Sequence, residues 1–257
     1  MGLDIFAYVV IGLITGVAAG FFGIGGGIII VPIMLILGYS IQHAIGISIM
    51  QMIFSSVFGS IINYKKRLLD ISDGIYAGIG GLVGASFSGL ILENISSKIL
   101  TILFLCITFY SFIKYAFNVK NTTNATPPIK SQFQKRLILI LTGAITGIFA
   151  ISLGIGGGLL IVPILGYYLG YGSKKSVPLG LFFVVFSSIS GTISLHRQHI
   201  IDAQVLHAGF YIGVASMVGV YLGIKLIQIS SAKVHRITLL SIYLLSMLVT
   251  AYKLVTG

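Results

Sequence analysis

The stretch Gly23-Ile24-Gly25-Gly26-Gly27 places four glycines in five residues, and the same five residues return as Gly154-Ile155-Gly156-Gly157-Gly158. Glycine in a helix interior costs about 1 kcal/mol relative to alanine, so a helix reaching either stretch is expected to break. Both stretches lie within long apolar sequence. A break there exposes unpaired N–H groups at the start of the following helix, and those groups carry partial positive charge. Such an end holds an anion without a buried lysine or arginine. The plain alternative is that each stretch is only a tight hairpin turn. Pro32 and Pro163, five residues beyond the last glycine, bend the helix that follows or free a carbonyl within it.

Polar side chains in the next apolar segment of each copy form the second candidate set. Gln51, Ser55 and Ser56 stand in one copy and Ser187 and Ser188 in the other, with Ser190 and Thr192 nearby. Gln51 and Ser55 are four apart and share a helical face. They suit either the oxygens of an anion held opposite the glycines or hydrogen bonds between helices, worth about 0.6 kcal/mol each in lipid. Asp70 and Asp202, with Ser72, have the character of helix N-caps at the membrane interface; a part in ion movement is the other reading. Of the five histidines only His207 falls well within an apolar span, where proton coupling is conceivable. Glycines elsewhere, such as Gly78, Gly84 and Gly219, have the spacing of close helix packing.

Several chemistries are excluded. Neither glycine stretch ends in Gly-Lys-Ser/Thr, so ATP-driven transport within this chain has no phosphate loop. There is no carboxylate pair, Ser-His-Asp set or metal cluster in the spans, hence no enzyme activity and no cofactor is expected. The single cysteine, Cys106, is mid-span, which rules out an internal disulfide or zinc framework and leaves packing as its expected role.

Composition defines the elements that must position these residues. Apolar residues make up 56% of 257 positions and charged ones 8%, against about 25% charged in a soluble domain. Charge-free stretches run over Ile41–Asn63, Gly74–Leu92, Ile99–Ile113, Val177–Leu195, Ala203–Ile224 and Ile237–Tyr252, and roughly 20 residues of helix cross a bilayer. Their apolar runs are continuous, without the alternation of a membrane barrel. The fold class is therefore an all-α polytopic membrane protein. The net charge of +11 comes from cations in short loops between spans, which signals membrane orientation rather than nucleic acid binding. No basic residue precedes the first apolar run, so that run reads as a retained span and not a signal peptide.

The chain is an internal duplication. Gly12–Ile33 and Gly143–Ile164, at an offset of 131, are identical at 14 of 22 positions. Phe54-Ser55-Ser56 matches Phe186-Ser187-Ser188, and Asp70 matches Asp202. The domains follow: residues 1–119 as a first transmembrane repeat, 120–135 as a polar cytoplasmic linker with Pro127 and Pro128, and 136–257 as a second repeat. Each repeat has five apolar segments. The first two, Ile5–Phe22 with Ile28–Leu37 and Leu137–Leu153 with Leu159–Tyr171, form either a hairpin that returns to its starting side or one crossing broken at the glycines. A hairpin makes the repeats inverted and puts 13 of the 16 Lys and Arg on one side; a single crossing divides them 10 to 6. The positive-inside rule favours the hairpin, giving ten membrane segments with both termini outside.

The two glycine stretches, each followed by a proline in a chain this apolar, resemble the TauE/SafE sulfite exporter family, also called the toluene sulfonate uptake permease family, over essentially the whole length. The resemblance implies a permease or exporter in the cytoplasmic membrane that moves sulfite, a sulfonate or a related organic anion, coupled to an ion gradient. Its members are usually drawn with fewer spans than ten. The implied partners are a small anionic substrate, a coupling proton or sodium ion and the lipid bilayer, with a homo-oligomer left open. The substrate-binding set expected is Gly23, Gly25, Gly26, Gly27, Gln51, Ser55 and Ser56 with Gly154, Gly156, Gly157, Gly158, Ser187 and Ser188. Pro32, Pro163, Asp70 and Asp202 are expected to be structural. An anion channel, or a membrane assembly protein without flux, is the competing reading.

Overall fold

Residues 2–117 and 131–256 are described by a computed structural model, and all their regular structure is helical. The helices are α1 (Gly2–Phe22), α2 (Gly27–Ile36), α3 (Ile41–Lys65), α4 (Ile71–Ala85), α5 (Ser88–Asn94), α6 (Ser97–Phe117), α7 (Gln132–Ser152), α8 (Gly158–Leu169), α9 (Ser173–Arg197), α10 (Ala203–Ile229) and α11 (Ala232–Thr256). Among the described residues eight spans, with α4 and α5 together as one of them, are long and apolar enough to cross a membrane. The two short helices, α2 with 10 residues and α8 with 12, are the runs that follow the glycine stretches. Most of the 120–135 linker lies outside the described residues; its last part, from Gln132, is the first turn of α7, capped by the Ser131 hydroxyl.

Helix starts follow their side chains. Asp70 accepts from the Asp73 N–H at 3.3 Å to cap α4, and Asp202 accepts from the Val205 N–H at 2.8 Å to cap α10. The apolar stretch Gly74–Leu92 lies within a single span, Ile71–Asn94, whose helix is interrupted at Ser86 and Phe87, between α4 and α5. Ser86 and Ser88 turn their hydroxyls onto the carbonyls of Val83 and Ala85, at 2.7 and 2.6 Å, in competition with the helical ladder. Ser194 of α9 satisfies what the break frees, donating to the Ser86 carbonyl at 2.7 Å and accepting from the Gly89 N–H at 2.9 Å. A break at membrane depth requires a compensation of this kind.

Helix direction is legible in the order of contacts. Side chains added at Gly12, Gly16 and Gly20 would run into the carbonyls of Ile212, Ser216 and Val220, so α1 and α10 run in the same direction. Gly46 meets Val205 and Gly59 meets Val220, so α3 runs with them. In the same way Gly80 and Gly84 meet Ile140 and Ala144, while Gly74 and Gly78 meet the rings of Phe182 and Phe186, which makes α4, α7 and α9 a second parallel set. Since α1 and α3 point the same way, α2 brings the chain back between them. α8 does so between α7 and α9.

The two halves interlock: α1 of the first packs on α10 of the second, and α7 of the second packs on α4 of the first. α3 and α9 touch at the centre, and their spans are 61% and 67% buried, against 28% for α6 and 22% for α11 at the periphery. Cys106, on α6, is exposed and not part of the core packing expected of it. Large apolar side chains such as Phe6, Phe109, Phe210 and Leu245 stay exposed on the outer helices, which suits a surface facing lipid. At Gly16 a Cβ would overlap the backbone of Ser216. Gly16→Val is therefore expected to cost at least about 1–3 kcal/mol, read as a lower Tm in detergent. Gly172→Ala, whose Cβ would meet nothing within 4 Å, is expected to leave Tm unchanged.

Candidate functional site

The glycine stretches form two sharp turns that abut at the centre of the bundle. After α1 ends at Phe22 the backbone takes positive φ at Gly23, Gly25 and Gly26, with values of 71°, 74° and 92°. Side chains with a Cβ are strained there, and Gly26 then caps α2. In the second copy Gly154 and Gly156 have φ of 63° and 88°. Gly157, which caps α8, is in the ordinary right-handed region at −63°. A Cβ on Gly27 would overlap the Gly154 carbonyl oxygen, one on Gly158 the Gly23 oxygen, and one on Gly156 the Ile24 oxygen. Each stretch is thus glycine for two reasons, the local turn and the backbone lying across it. The Ser48 hydroxyl of α3 ties the crossing by donating to the Gly154 carbonyl at 2.7 Å. Pro32 lies within α2 and Pro163 within α8.

Gln51, Ser55, Ser56, Ser187 and Ser188 are all buried, but they do different things. Ser55 reaches towards the Gly25 carbonyl at 3.5 Å while donating to Met52 of its own helix at 3.2 Å. Ser56 donates to Ile53, Ser187 to Phe183 and Ser188 to Val185, all within their own helices at 3.2–3.4 Å. Ser187 and Ser188 therefore stay on α9. Gln51 is different. It is fully buried, neither amide atom has a hydrogen-bond partner, and its Oε1 is 3.3 Å from where a Cβ of Gly26 would stand. The residue at the matching position of the second copy is Phe183, whose ring lies against Gly157. Sequence reasoning missed Ser48 and Phe183. Ser48, three residues before Gln51 on one helical face, was the available signal for the first, and repeat alignment at Gln51 for the second.

Two ion pairs related by the duplication lie away from the glycines. His43 Nε2 is 3.4 Å from Asp202, joining the starts of α3 and α10; Lys175 Nζ is 3.8 Å from Asp70, joining the starts of α9 and α4. Both aspartates thus combine a helix cap with an ion pair. The Lys175 end carries an additional cluster without a counterpart. Asp73, almost fully buried, is 2.6 Å from Lys135 Nζ and accepts from the Tyr171 hydroxyl at 2.5 Å. Burial, followed by the hydrogen bond to Asp73, pushes the Tyr171 phenol up to about 12. Val205 occupies the position of Asp73 in the other copy. Among the described residues no group of three His, Cys, Asp or Glu could hold a metal.

A groove of about 320 Å³ between α4–α5 and α9 is lined by Ser86, Ser190, Ser194, Arg197, Gln198 and apolar residues. The hydroxyls of Ser190 and Ser194 are already committed to the carbonyls of Leu82 and Ser86, and Leu82, Leu90, Ile189 and Ile193 around it are exposed as lipid-facing residues are. It is a surface feature, remote from the glycine crossing. For the ionic cluster, Asp73→Asn is expected to destabilise the protein by about 3 kcal/mol, as loss of one partner of a buried pair does. Tyr171, losing the negative charge of its acceptor, should titrate below 12. The neutral phenol stabilises the fold below pH 10, and that contribution fades as pH rises towards 12; a Tm series across this window, with ultraviolet phenolate titration, reads both effects.

The sequence profile of the sulfite exporter TauE/SafE family matches residues 8–250. A protein of Methanocaldococcus jannaschii named a probable membrane transporter is 30% identical over 248 residues, covering 91% of this chain and 90% of its own. The probable membrane transporter YunE of Bacillus subtilis is 28% identical over 243 residues, with 85% of each chain covered. A further probable membrane transporter, from Haemophilus influenzae, is 28% identical over 203 residues, with 72% and 70% covered. No solved structure matches the chain. With its duplicated glycine stretches, its eight apolar spans and a family match running almost from end to end, the chain belongs to the TauE/SafE sulfite exporter family and is a multi-pass membrane transporter.

Proposed function

We propose that this transporter is a secondary carrier of the cytoplasmic membrane that moves a small anion, sulfite, a sulfonate or a related organic anion, coupled to a proton or sodium gradient. The observation carrying this reading is the pair of abutting glycine turns, with the starts of α2 and α8 directed into the middle of the bundle beside buried α3 and α9. Discontinuous helices at the interface of repeats form the substrate sites of secondary transporters, their N-terminal ends directed at anionic groups. The anion is held by backbone N–H groups, with Gln51 and Ser55 from α3 beside them.

The parallel sets α1, α3, α10 and α4, α7, α9 support inverted repeats. α10 returns the chain after α9, so matched helices α1 and α7 run in opposite directions. The same directions put the ends of α3 and α10 and the starts of α4, α7, α9 and α11 on one side, which collects Lys65, Lys66, Arg67, Lys135, Arg136, Lys174, Lys175, Lys225, Lys233 and Arg236 there. By the positive-inside rule that side is cytoplasmic. At the glycine turns backbone lies directly on backbone, which favours a carrier that rearranges over a channel.

Purified protein in liposomes is expected to take up sulfite, sulfoacetate or a simple carboxylate with saturating kinetics and in response to an imposed proton or sodium gradient. Movement of none of these anions sinks the proposal; flux that is linear in concentration and indifferent to both gradients points to the channel. Gly26→Ala puts a Cβ into left-handed backbone at a cost of about 1–2 kcal/mol and should reduce anion uptake at least tenfold.

A further inference from the structure

The duplication makes the two glycine turns equivalent in sequence, but the residues facing them are not equivalent. We propose that the anion binds at the α2 turn alone, as a monoanion hydrogen-bonded by Gln51, and that Phe183 closes the α8 turn to ligand. The proposal rests on the reading of the protein as an anion carrier and narrows its site to one half.

Three observations converge on Gln51. Its amide is fully buried and has no partner for either atom. Leaving a buried polar group unpaired costs about 1–3 kcal/mol, a burden that a binding residue bears when its ligand is the missing partner. The amide stands beside Gly26, the cap of α2. The first bonded N–H groups of that helix are those of Ile29 and Ile30, both donating to the Gly26 carbonyl, so the N–H groups of Gly27 and Ile28 precede the ladder and are available as further donors. The α8 turn has the same ladder, from Leu160 and Ile161 to Gly157. There the side chain is an apolar ring in contact with Gly157, and the nearby Ser187 hydroxyl is committed to the Phe183 and Val184 carbonyls. A desolvated anion at that turn would face a benzene ring where the α2 turn offers an amide.

The charge follows from the same groups. A helix start supplies about half an elementary charge and the amide supplies none, so one negative charge is compensated far better than two in a buried site. Methanesulfonate is therefore the fitting probe and sulfate, a dianion of similar size, the discriminating one.

The test is uptake and binding of both probes by the full-length protein in liposomes and detergent, for wild type, Gln51→Leu and Phe183→Leu. The expected result is methanesulfonate uptake by wild type with sulfate at least tenfold weaker. Gln51→Leu should lose affinity at least tenfold while its Tm holds or rises, because the unpaired amide is gone. Phe183→Leu should stay within threefold of wild type. A lower Tm with unchanged affinity in Gln51→Leu would make the amide structural, and equal losses in both variants would make the two turns equivalent; either overturns the inference. Sulfate taken up as well as methanesulfonate overturns the charge assignment. If wild type moves neither probe and none of the anions named above, the carrier reading itself falls.

Discussion

Close approach of backbone to backbone is the constraint on which this molecule depends. In lipid there is no water to expel between helices, so association relies on packing and interhelical hydrogen bonds. Small residues are what allow helices to come near enough. Here Gly12, Gly16 and Gly20 of α1, Gly80 and Gly84 of α4, Gly143 and Gly147 of α7 and Gly219 and Gly223 of α10 lie against carbonyls of a partner helix in the other half. The same contact recurs at the centre, where Gly27 lies on Gly154 and Gly158 on Gly23. A glycine count that would weaken a soluble helical protein becomes the condition for assembling this one.

Much of that architecture was legible in the residues. The duplication, the long apolar spans and the break at each glycine stretch follow from composition, periodicity and the cost of glycine in a helix. What was not legible depends on partners distant in sequence. Ser86 and Ser88 look like ordinary small residues of a span, and the break between α4 and α5 is tolerated only because Ser194 supplies both missing hydrogen bonds. Ser187 and Ser188 carry the same letters as Ser55 and Ser56, yet of the four only Ser55 also reaches beyond its own helix, towards the Gly25 carbonyl. Cys106 lies mid-span as expected, but which way a residue faces on a peripheral helix is decided by neighbours rather than by its own segment.

Symmetry and its exceptions carry different information. The pairs His43–Asp202 and Lys175–Asp70 descend from one position and fasten equivalent helix starts. One of them depends on a histidine and the other on a lysine. Asp73 with Lys135 and Tyr171 has no equivalent across the repeat, where Val205 stands instead. Gln51 opposite Phe183 is the same kind of departure at the centre. Duplication supplies the frame, and such substitutions give its two ends and its two turns separate properties.

The interlocking of halves has a consequence for how the chain comes to be built. α1 is synthesised well before its main partner, α10, which belongs to the second half. α4 likewise waits for α7 on the far side of the linker. The early helices are stable as individual spans, since their backbone hydrogen bonds are internal, but their glycine faces stay bare until the second half arrives. Completion of this protein is therefore a late event in biogenesis, and a chain truncated after the first repeat leaves the ribosome inserted yet unassembled.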